Sequence, residues 1–189
     1  MISAILLAAG QSKRMNYENK LTKEIQGIAL IKHSVKNILS SSIDELIIVT
    51  GHQKEIIEKL IDKNEKIKFI FNKNFKTGMA SSIKTGIKSL SNKTNFFFIC
   101  LGDMPLVSQN TYNLLIKHKD NNEIIVPNYK GRQGNPILFA KSMIDQIMTI
   151  EGDVGAKKIL NQFQDKILNI KIDDTSITKD FNTKDDFNF

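Results

Sequence analysis

Apolar residues in this chain gather in short runs, and most of the runs are unbroken by polar positions. Residues 4–8 read Ala-Ile-Leu-Leu-Ala, residues 46–49 Leu-Ile-Ile-Val, and residues 96–101 Phe-Phe-Phe-Ile-Cys-Leu. Shorter or partly alternating runs follow at 67–71, 124–126, 137–139 and 167–172. Runs of this length bounded by glycine and polar residues predict buried strands. Proline 127 is expected to end the run at 124–126, because it offers no N–H to a ladder. Between the runs the period changes to that of a helix. Ile31, Val35, Ile38 and Leu39 share one face of residues 30–41, and Ile56, Ile57, Leu60 and Ile61 are expected inward on residues 54–61. Ala80, Ile83, Ile87 and Leu90 do the same over 79–90. Ser108 is a suitable N-cap for a helix carrying Tyr112, Leu115 and Ile116. Two further helices are expected at about 142–149 and 155–163. Strands apolar on both faces, alternating with helices, predict a mainly parallel sheet covered on both sides: one α/β domain over residues 1–189.

The punctuation of the strands says where a ligand would sit. Three of them run directly into glycine, at Gly10, Gly51 and Gly102. Their C-terminal ends are therefore expected on one rim, and open α/β sheets bind ligands at that rim where strand order reverses.

Composition narrows the reading a little. A chain of 189 residues with 41% hydrophobic and 25% charged residues is ordinary for one globular domain. The net charge of +7 raises nucleic acid as a partner, but no block of five or six like charges occurs and aromatics are not interleaved with basic residues. The charge is read as a diffuse solvated surface, with no nucleic-acid and no membrane partner. Only two of the 27 basic residues are arginine, Arg14 and Arg132. In so lysine-rich a chain, each marks a place where lysine would not supply the planar bidentate fork. The single cysteine, Cys100, lies inside an apolar run and reads as a core thiol. The first apolar run has no basic segment before it, and no run reaches transmembrane length. The expected location is the cytoplasm.

The candidate chemistry starts at the first glycine. Gly10 is followed by Gln11, Ser12, Lys13 and Arg14, and Lys20 ends the polar stretch. A strand, a glycine turn and cationic side chains suit a phosphate cradle, with backbone N–H groups and positive charge aimed at one place. An ordinary turn with solvated charges is the plain alternative. Neither a GxxxxGK[ST] nor a GxGxxG pattern is present. Asp103 follows a buried strand and a glycine, with Pro105 behind it, so it is placed either to hold a cation on the same rim or to cap a turn. Mg²⁺ suits such a position, because it needs one or two carboxylates plus substrate phosphates. The segment from Gly131 through Arg132, Gly134, Asn135 and Pro136 is either a tight turn between strands or a loop presenting Arg132 to an anion. Asp153 and Asp180 have equally plain alternatives, as a helix boundary and a solvated tail residue. His33, His52 and His118 are isolated and read as structural or surface residues.

The stretches LLAAGQSKRM with NKL, TGMASSIKTGI, LGDMP, GRQGNPILF, GDVGAKKIL and DFNT occur in this order. Together they resemble the MobA-like nucleotidyltransferases, and within them the molybdenum cofactor cytidylyltransferase branch. Leu-Ala-Ala-Gly at residues 7–10 is similar to the cytidylyl branch, where guanylyl enzymes tend to carry Leu-Ala-Gly-Gly. One departure is Asn16, where the family usually has glycine after Arg-Met. The resemblance implies a single-domain three-layer Rossmann-like fold of the nucleotide-diphospho-sugar transferase type. It also implies transfer of CMP from CTP to molybdopterin, with release of pyrophosphate.

On that reading Arg14, Lys20 and Asp103 are the catalytic residues. Gly10, Ser12, Lys13 and Arg14 hold the leaving phosphates, and Lys20 lies near the α-phosphate. The resemblance puts the base against Leu7, Ala8 and Ala9 and against Gly78, Ser81 and Ser82, with Gly102 beside them. It puts the acceptor near Arg132, Gly134, Asn135, Pro136 and Asp153. Asp103 holds Mg²⁺, or Mn²⁺ in its place, and Asp180 or Asn182 completes the metal side. No general base is needed, since a phosphomonoester with a second pKa of about 6 is already anionic at neutral pH. A molybdoenzyme or its insertion chaperone is the expected recipient of the product. Two alternatives remain: guanylyl or sugar-phosphate transfer on the same fold, and a non-catalytic nucleotide-binding accessory protein for metal-cofactor maturation.

Overall fold

The computed structural model describes residues 1–12, 18–182 and 186. Its strands are β1 (Ile2–Ala8), β2 (Glu24–Ile25), β3 (Ile28–Ala29), β4 (Glu45–Thr50) and β5 (Ile67–Phe71), followed by β6 (Phe96–Leu101), β7 (Ile124–Tyr129), β8 (Arg132–Gln133), β9 (Ile137–Ala140) and β10 (Ile167–Lys171). Its helices are α1 (Leu30–Leu39), α2 (Lys54–Leu60), α3 (Met79–Lys88), α4 (Gln109–Lys117), α5 (Ile144–Ile147) and α6 (Lys157–Leu160).

The main sheet runs in the order β10-β7-β9-β6-β1-β4-β5, with β8 paired to β7 at the side. β1 pairs parallel with β4 and β6, and β4 with β5. The chain steps outward from β1 to β4 and β5, then crosses back to β6 on the other side of β1. Strand order thus reverses at β1, and the expected shared rim of β1, β4 and β6 is present. Beyond β6 the sheet changes character: β9 runs antiparallel to both β6 and β7, and β10 parallel to β7.

Neighbouring residues of the central strands feed two separate cores, as the two-residue period of a strand requires. Leu6, Ile48 and Phe98 pack with α1 residues Leu30, Ile31, Val35 and Ile38, with Ile57 of α2 and with Tyr112 and Leu115 of α4. Ile5, Ile47 and Phe97 pack on the opposite face with Ala80, Ile83 and Ile87 of α3, Ile147 of α5 and Leu160 of α6. Ser108 caps α4 as expected, its side chain accepting from the Thr111 N–H.

Several local expectations are corrected. Ile56 is 46% exposed rather than inward. The seven-residue α2 meets the core through Ile57, and Ile61 just beyond it, an i, i+4 pair too narrow to include Ile56. Pro127 does not end β7, which continues to Tyr129. Pairing with β9 stops at Ile125, so the missing N–H falls outside that ladder, while the Pro127 carbonyl accepts from Gly134 N–H at 2.7 Å. The expected helix over 142–149 is a 3₁₀ turn, Lys141–Met143, leading into the short α5. The one over 155–163 shrinks to α6, because the backbone before it is turned to another use at α3. A β2–β3 hairpin, with its turn at Gln26 and Gly27, had no signal in the apolar pattern.

Candidate active site

A cleft of about 610 Å³ opens at the rim where β1 and β6 end. Its walls come from the end of β1, the loop after β5, the start of α3, the turn after β6, and residues 180 and 182.

Lys20 reaches this cleft from the 3₁₀ turn Lys20–Thr22. Asn19 fixes the start of the turn, its Oδ1 accepting from Leu21 N–H at 3.1 Å, and the buried Leu21 anchors it in the core. Ser12 Oγ accepts the Lys20 N–H at 3.0 Å, so the glycine loop and the lysine are tied together. Asp103 arrives from the other strand. Gly102 N–H donates to the Leu7 carbonyl at 3.1 Å, extending the β1–β6 ladder by one step. The Gly102 carbonyl accepts from Ser34 Oγ of α1, and that of Pro105 from the Asn37 amide. A turn held at both carbonyls presents its aspartate in one place.

Lys20 Nζ and Asp103 Oδ2 lie 2.5 Å apart, each side chain 17% exposed. Lys20 Nζ also donates to Asn182 Oδ1 at 2.8 Å, and the Asn182 amide donates to Asp180 Oδ2 at 2.5 Å. Phe181 makes this arrangement. It is fully buried, and its N–H donates to the Asp103 carbonyl at 2.9 Å, which turns its neighbours Asp180 and Asn182 to the cleft. The described residues therefore join four side chains from three distant stretches of the chain. Asn182 has the fuller role of the two tail candidates, since it bridges Lys20 and Asp180.

The opposite wall is the N-terminus of α3. Gly78 takes φ +113°, and a methyl group there would overlap the carbonyl of Gly152. That close approach lets Asp153 Oδ1 accept Met79 N–H at 3.1 Å and the Gly152 carbonyl accept Ala80 N–H at 3.2 Å. Asp153 lines the cleft and at the same time caps α3. Ser82 also lines the cleft, while Ser81 is engaged with the Asn72 amide and the Asn74 and Gly78 carbonyls. Leu7, Ala9, Gly10 and Ser12 line it too; Ala8 and Gly102 stand behind as framework. Phe75 and Lys76, which the motifs did not mark, complete this side. The only sequence signal for them is their place just before Gly78.

Of the expected acceptor residues, Asp153 lines the cleft and Arg132, Gly134, Asn135 and Pro136 do not. Arg132 is exposed on a hairpin whose turn, Lys130 and Gly131, takes positive φ at both positions (47° and 82°), the backbone of a tight two-residue connection. Gly134 and the cis Asn135–Pro136 bond lie beneath it, with Asn135 N–H donating to the Ile177 carbonyl at 2.8 Å. Lys13, Arg14 and Asn16 lie outside the described residues, as does Thr183 of the last motif.

The charges suit a polyanion that arrives with a cation. Among the described residues of the wall, Asp103, Asp153 and Asp180 face Lys20 and Lys76, three carboxylates against two amines. Such a wall repels a bare triphosphate, and a hard divalent ion would reverse that. No group of three or more His, Cys, Asp or Glu among the described residues forms a full cage. Mg²⁺ needs none, because it completes its shell with water and substrate phosphates. The donor set therefore fits. Cys100 stays out of this chemistry: burial pushes its thiol up from 9.0 to about 12, against the lowering effect of a hydrogen bond with Tyr112. No helix among the described residues is long and apolar enough to cross a membrane.

A three-layer α/β sheet with a polar cleft at its switch point has the architecture of a ligand-binding α/β protein. The match of residues 4–167 to the MobA-like NTP transferase domain makes this more particular: the chain belongs to that family of nucleotidyltransferases. It is 26% identical over 186 residues to the molybdenum cofactor cytidylyltransferase of Escherichia coli K12, covering 98% of this chain and 93% of that one. It is 27% identical over 151 residues to a probable molybdenum cofactor guanylyltransferase of Methanosarcina mazei, covering 77% of this chain and 66% of that one. A match to the bifunctional protein GlmU of Staphylococcus saprophyticus, 26% identical over 143 residues, covers 75% of this chain but only 31% of that one. The chain thus spans about a third of one such relative and about two thirds of another. A solved nucleotidyl transferase from Methanothermobacter thermautotroptrophicus shares the fold, with a TM-score of 0.86 at 21% identity, covering 99% of this chain and 94% of that one.

Proposed function

We propose that the protein transfers CMP from CTP to the phosphate of molybdopterin and releases pyrophosphate, with Mg²⁺ as the metal. The observation that carries the reading is the Lys20–Asp103–Asn182 cluster at the mouth of the β1–β6 switch point. The near full-length likeness to the E. coli cytidylyltransferase supports the choice of base and acceptor.

The new bond joins an acceptor phosphate oxygen to the α-phosphorus of CTP, and the bond from that phosphorus to the β-phosphate bridge breaks. The acceptor oxygen is already anionic, so no residue has to remove a proton. What the protein supplies is positioning and charge at the α-phosphate. Lys20 Nζ holds Asp103 when no phosphate is present; with a triphosphate in the cleft it would turn to the α-phosphate, and Asp103 would be free to hold a metal. Asn182 keeps the amine in reach during that exchange. Asp103 and Asp180 would hold Mg²⁺, which would supply positive charge to the phosphate oxygens. Lys13 and Arg14 take the departing pyrophosphate.

Incubation with CTP labelled at the α-phosphate and purified molybdopterin tests this. Label moves into a molybdopterin dinucleotide only when Mg²⁺ is present, if the reading is right. Label confined to CTP or CMP contradicts it. Guanylyl transfer is the second reading, favoured by the 27% identity to the M. mazei protein. GTP labelled in the same position decides between them.

A further inference from the structure

The loop between β5 and α3 turns on one buried amide. Asn72, 2% exposed, directly follows β5, and its N–H donates to the Thr50 carbonyl at 2.9 Å, one step beyond the β4–β5 ladder. Its carbonyl accepts from Phe75 N–H at 3.3 Å, so both backbone groups are held at the rim. The side chain is fixed as firmly. Asn74 N–H, which can only donate, lies 2.9 Å from Oδ1. The amide oxygen therefore faces the loop and Nδ2 faces α3, where it donates to Ser81 Oγ at 2.8 Å and to Ser82 Oγ at 3.0 Å.

One amide thus fills a lone pair on each serine, and the two hydroxyl protons part ways. Ser81 Oγ lies 2.9 Å from both the Asn74 and the Gly78 carbonyls, so its proton is used inside the loop. Ser82 Oγ has no acceptor for its proton among the described residues, although it is only 5% exposed and lines the cleft. A buried hydroxyl proton without an acceptor is unfavourable, and a ligand atom with a lone pair relieves it. The same wall carries Phe75 and Met79, across the cleft from the Lys20–Asp103 pair. A flat ring with an acceptor at its edge suits this wall, and phosphates suit the other.

We propose that Asn72 is a positioning residue for the choice of base: by taking a lone pair of Ser82 Oγ, it holds the Ser82 hydroxyl as a donor to an acceptor atom of the nucleobase. The inference rests on the nucleotide of the proposed function and adds a residue outside every motif. Cytosine offers adjacent acceptors, its ring N3 and its carbonyl, where the matching edge of guanine offers N–H donors. Ser82 held as a donor favours cytosine on that edge. Asn72 itself does not line the cleft and acts only through the serine.

Equilibrium binding of CTP with Mg²⁺, in the absence of an acceptor, reads this apart from transfer. Asn72→Asp keeps the bond from Asn74 N–H, but its carboxylate can only accept and draws the Ser82 proton away from the cleft. CTP affinity is expected to weaken about tenfold, and by a similar factor in Ser82→Ala, the scale of one lost hydrogen bond. Combined with Ser82→Ala, Asn72→Asp should add less than about twofold, because its effect passes through that hydroxyl. Affinity for ribose 5-triphosphate, which has no base, should change by less than about twofold in every variant, since the phosphate contacts are untouched. Additive losses, an equal loss for ribose 5-triphosphate, or unaltered CTP affinity in either single variant overturns the proposal. Where Asn72→Asp does not fold, Asn72→Ala, which brings no charge into the site, takes its place in the cycle and is judged the same way. Tighter wild-type binding of GTP than of CTP also overturns it. Wild-type protein that binds CTP but transfers no CMP is a failure of the proposed function alone, and the binding cycle still decides the role of Asn72.

Discussion

On one side of the sheet, β1, β4 and β6 lie parallel, with Gly10, Gly51 and Gly102 one or two residues past their ends. On the other, β7, β8 and β9 run antiparallel, joined by a two-residue turn and a cis Asn135–Pro136 bond. The parallel side places its working groups directly: Asp103 is two residues beyond β6, and Lys20 is tied to the loop after β1. The antiparallel side supplies Arg132 from a hairpin and Lys157 from a four-residue helix, linked through one backbone carbonyl. A rigid parallel rim suits groups that must meet a reacting phosphorus in one geometry. A hairpin with its charges exposed suits a partner that is bound and then delivered.

The difference is sharpest at Asp103. Asp103→Asn keeps the shape of the turn and removes the charge, and its turnover is expected to fall by about 10³-fold, the scale of losing a charge-stabilising group. Thermal unfolding should move little, and full activity in this variant would remove the metal assignment. Lys20→Met should cost about 10²-fold in kcat, because the Asn182 side of the cluster survives. A larger change in KM for molybdopterin than in kcat would place Lys20 with the antiparallel side instead.

Gly78→Ala tests the wall between the two sides. The added methyl overlaps the Gly152 carbonyl and the backbone has φ +113°, so a loss of about 2 kcal/mol in unfolding free energy is expected. Unchanged stability would mean that residues 152–153 do not cap α3 in solution. The smallest effect belongs to Cys100, deep in the parallel side. Its thiol is pushed up to about 12 by burial, so iodoacetamide should leave it unmodified in the folded protein at neutral pH. The raised value favours the folded state fully below the ordinary 9.0, and that contribution is lost as pH rises from 9.0 towards 12. Rapid native alkylation would show that this half of the sheet opens.

The same contrast explains what could be read without coordinates. Wholly apolar strands running into Gly10, Gly51 and Gly102 announce a parallel rim, because each glycine comes within two residues of the strand's end. Asp103 was legible for that reason. Ile56 and Pro127 misled, because burial depends on how wide a stripe α2 presents and on where the β9 ladder stops. The pairing of Lys20 with Asn182 spans 162 positions and passes through the burial of Phe181, which a local pattern does not encode. Asp153 looked like a helix boundary or an acceptor contact, and it is the cap of a helix 74 residues earlier. Nothing in the sequence pattern set Lys157 apart, and the fold brings its amine to the Gln133 carbonyl of β8.

Pyrophosphate release measured with CTP, GTP, ATP and UTP, each with and without molybdopterin and Mg²⁺, shows whether the protein is a cytidylyltransferase acting on molybdopterin. Release is expected with CTP alone among the four, dependent on both acceptor and metal, and lost in Asp103→Asn. Release that ignores molybdopterin, or its absence with every triphosphate, would contradict it.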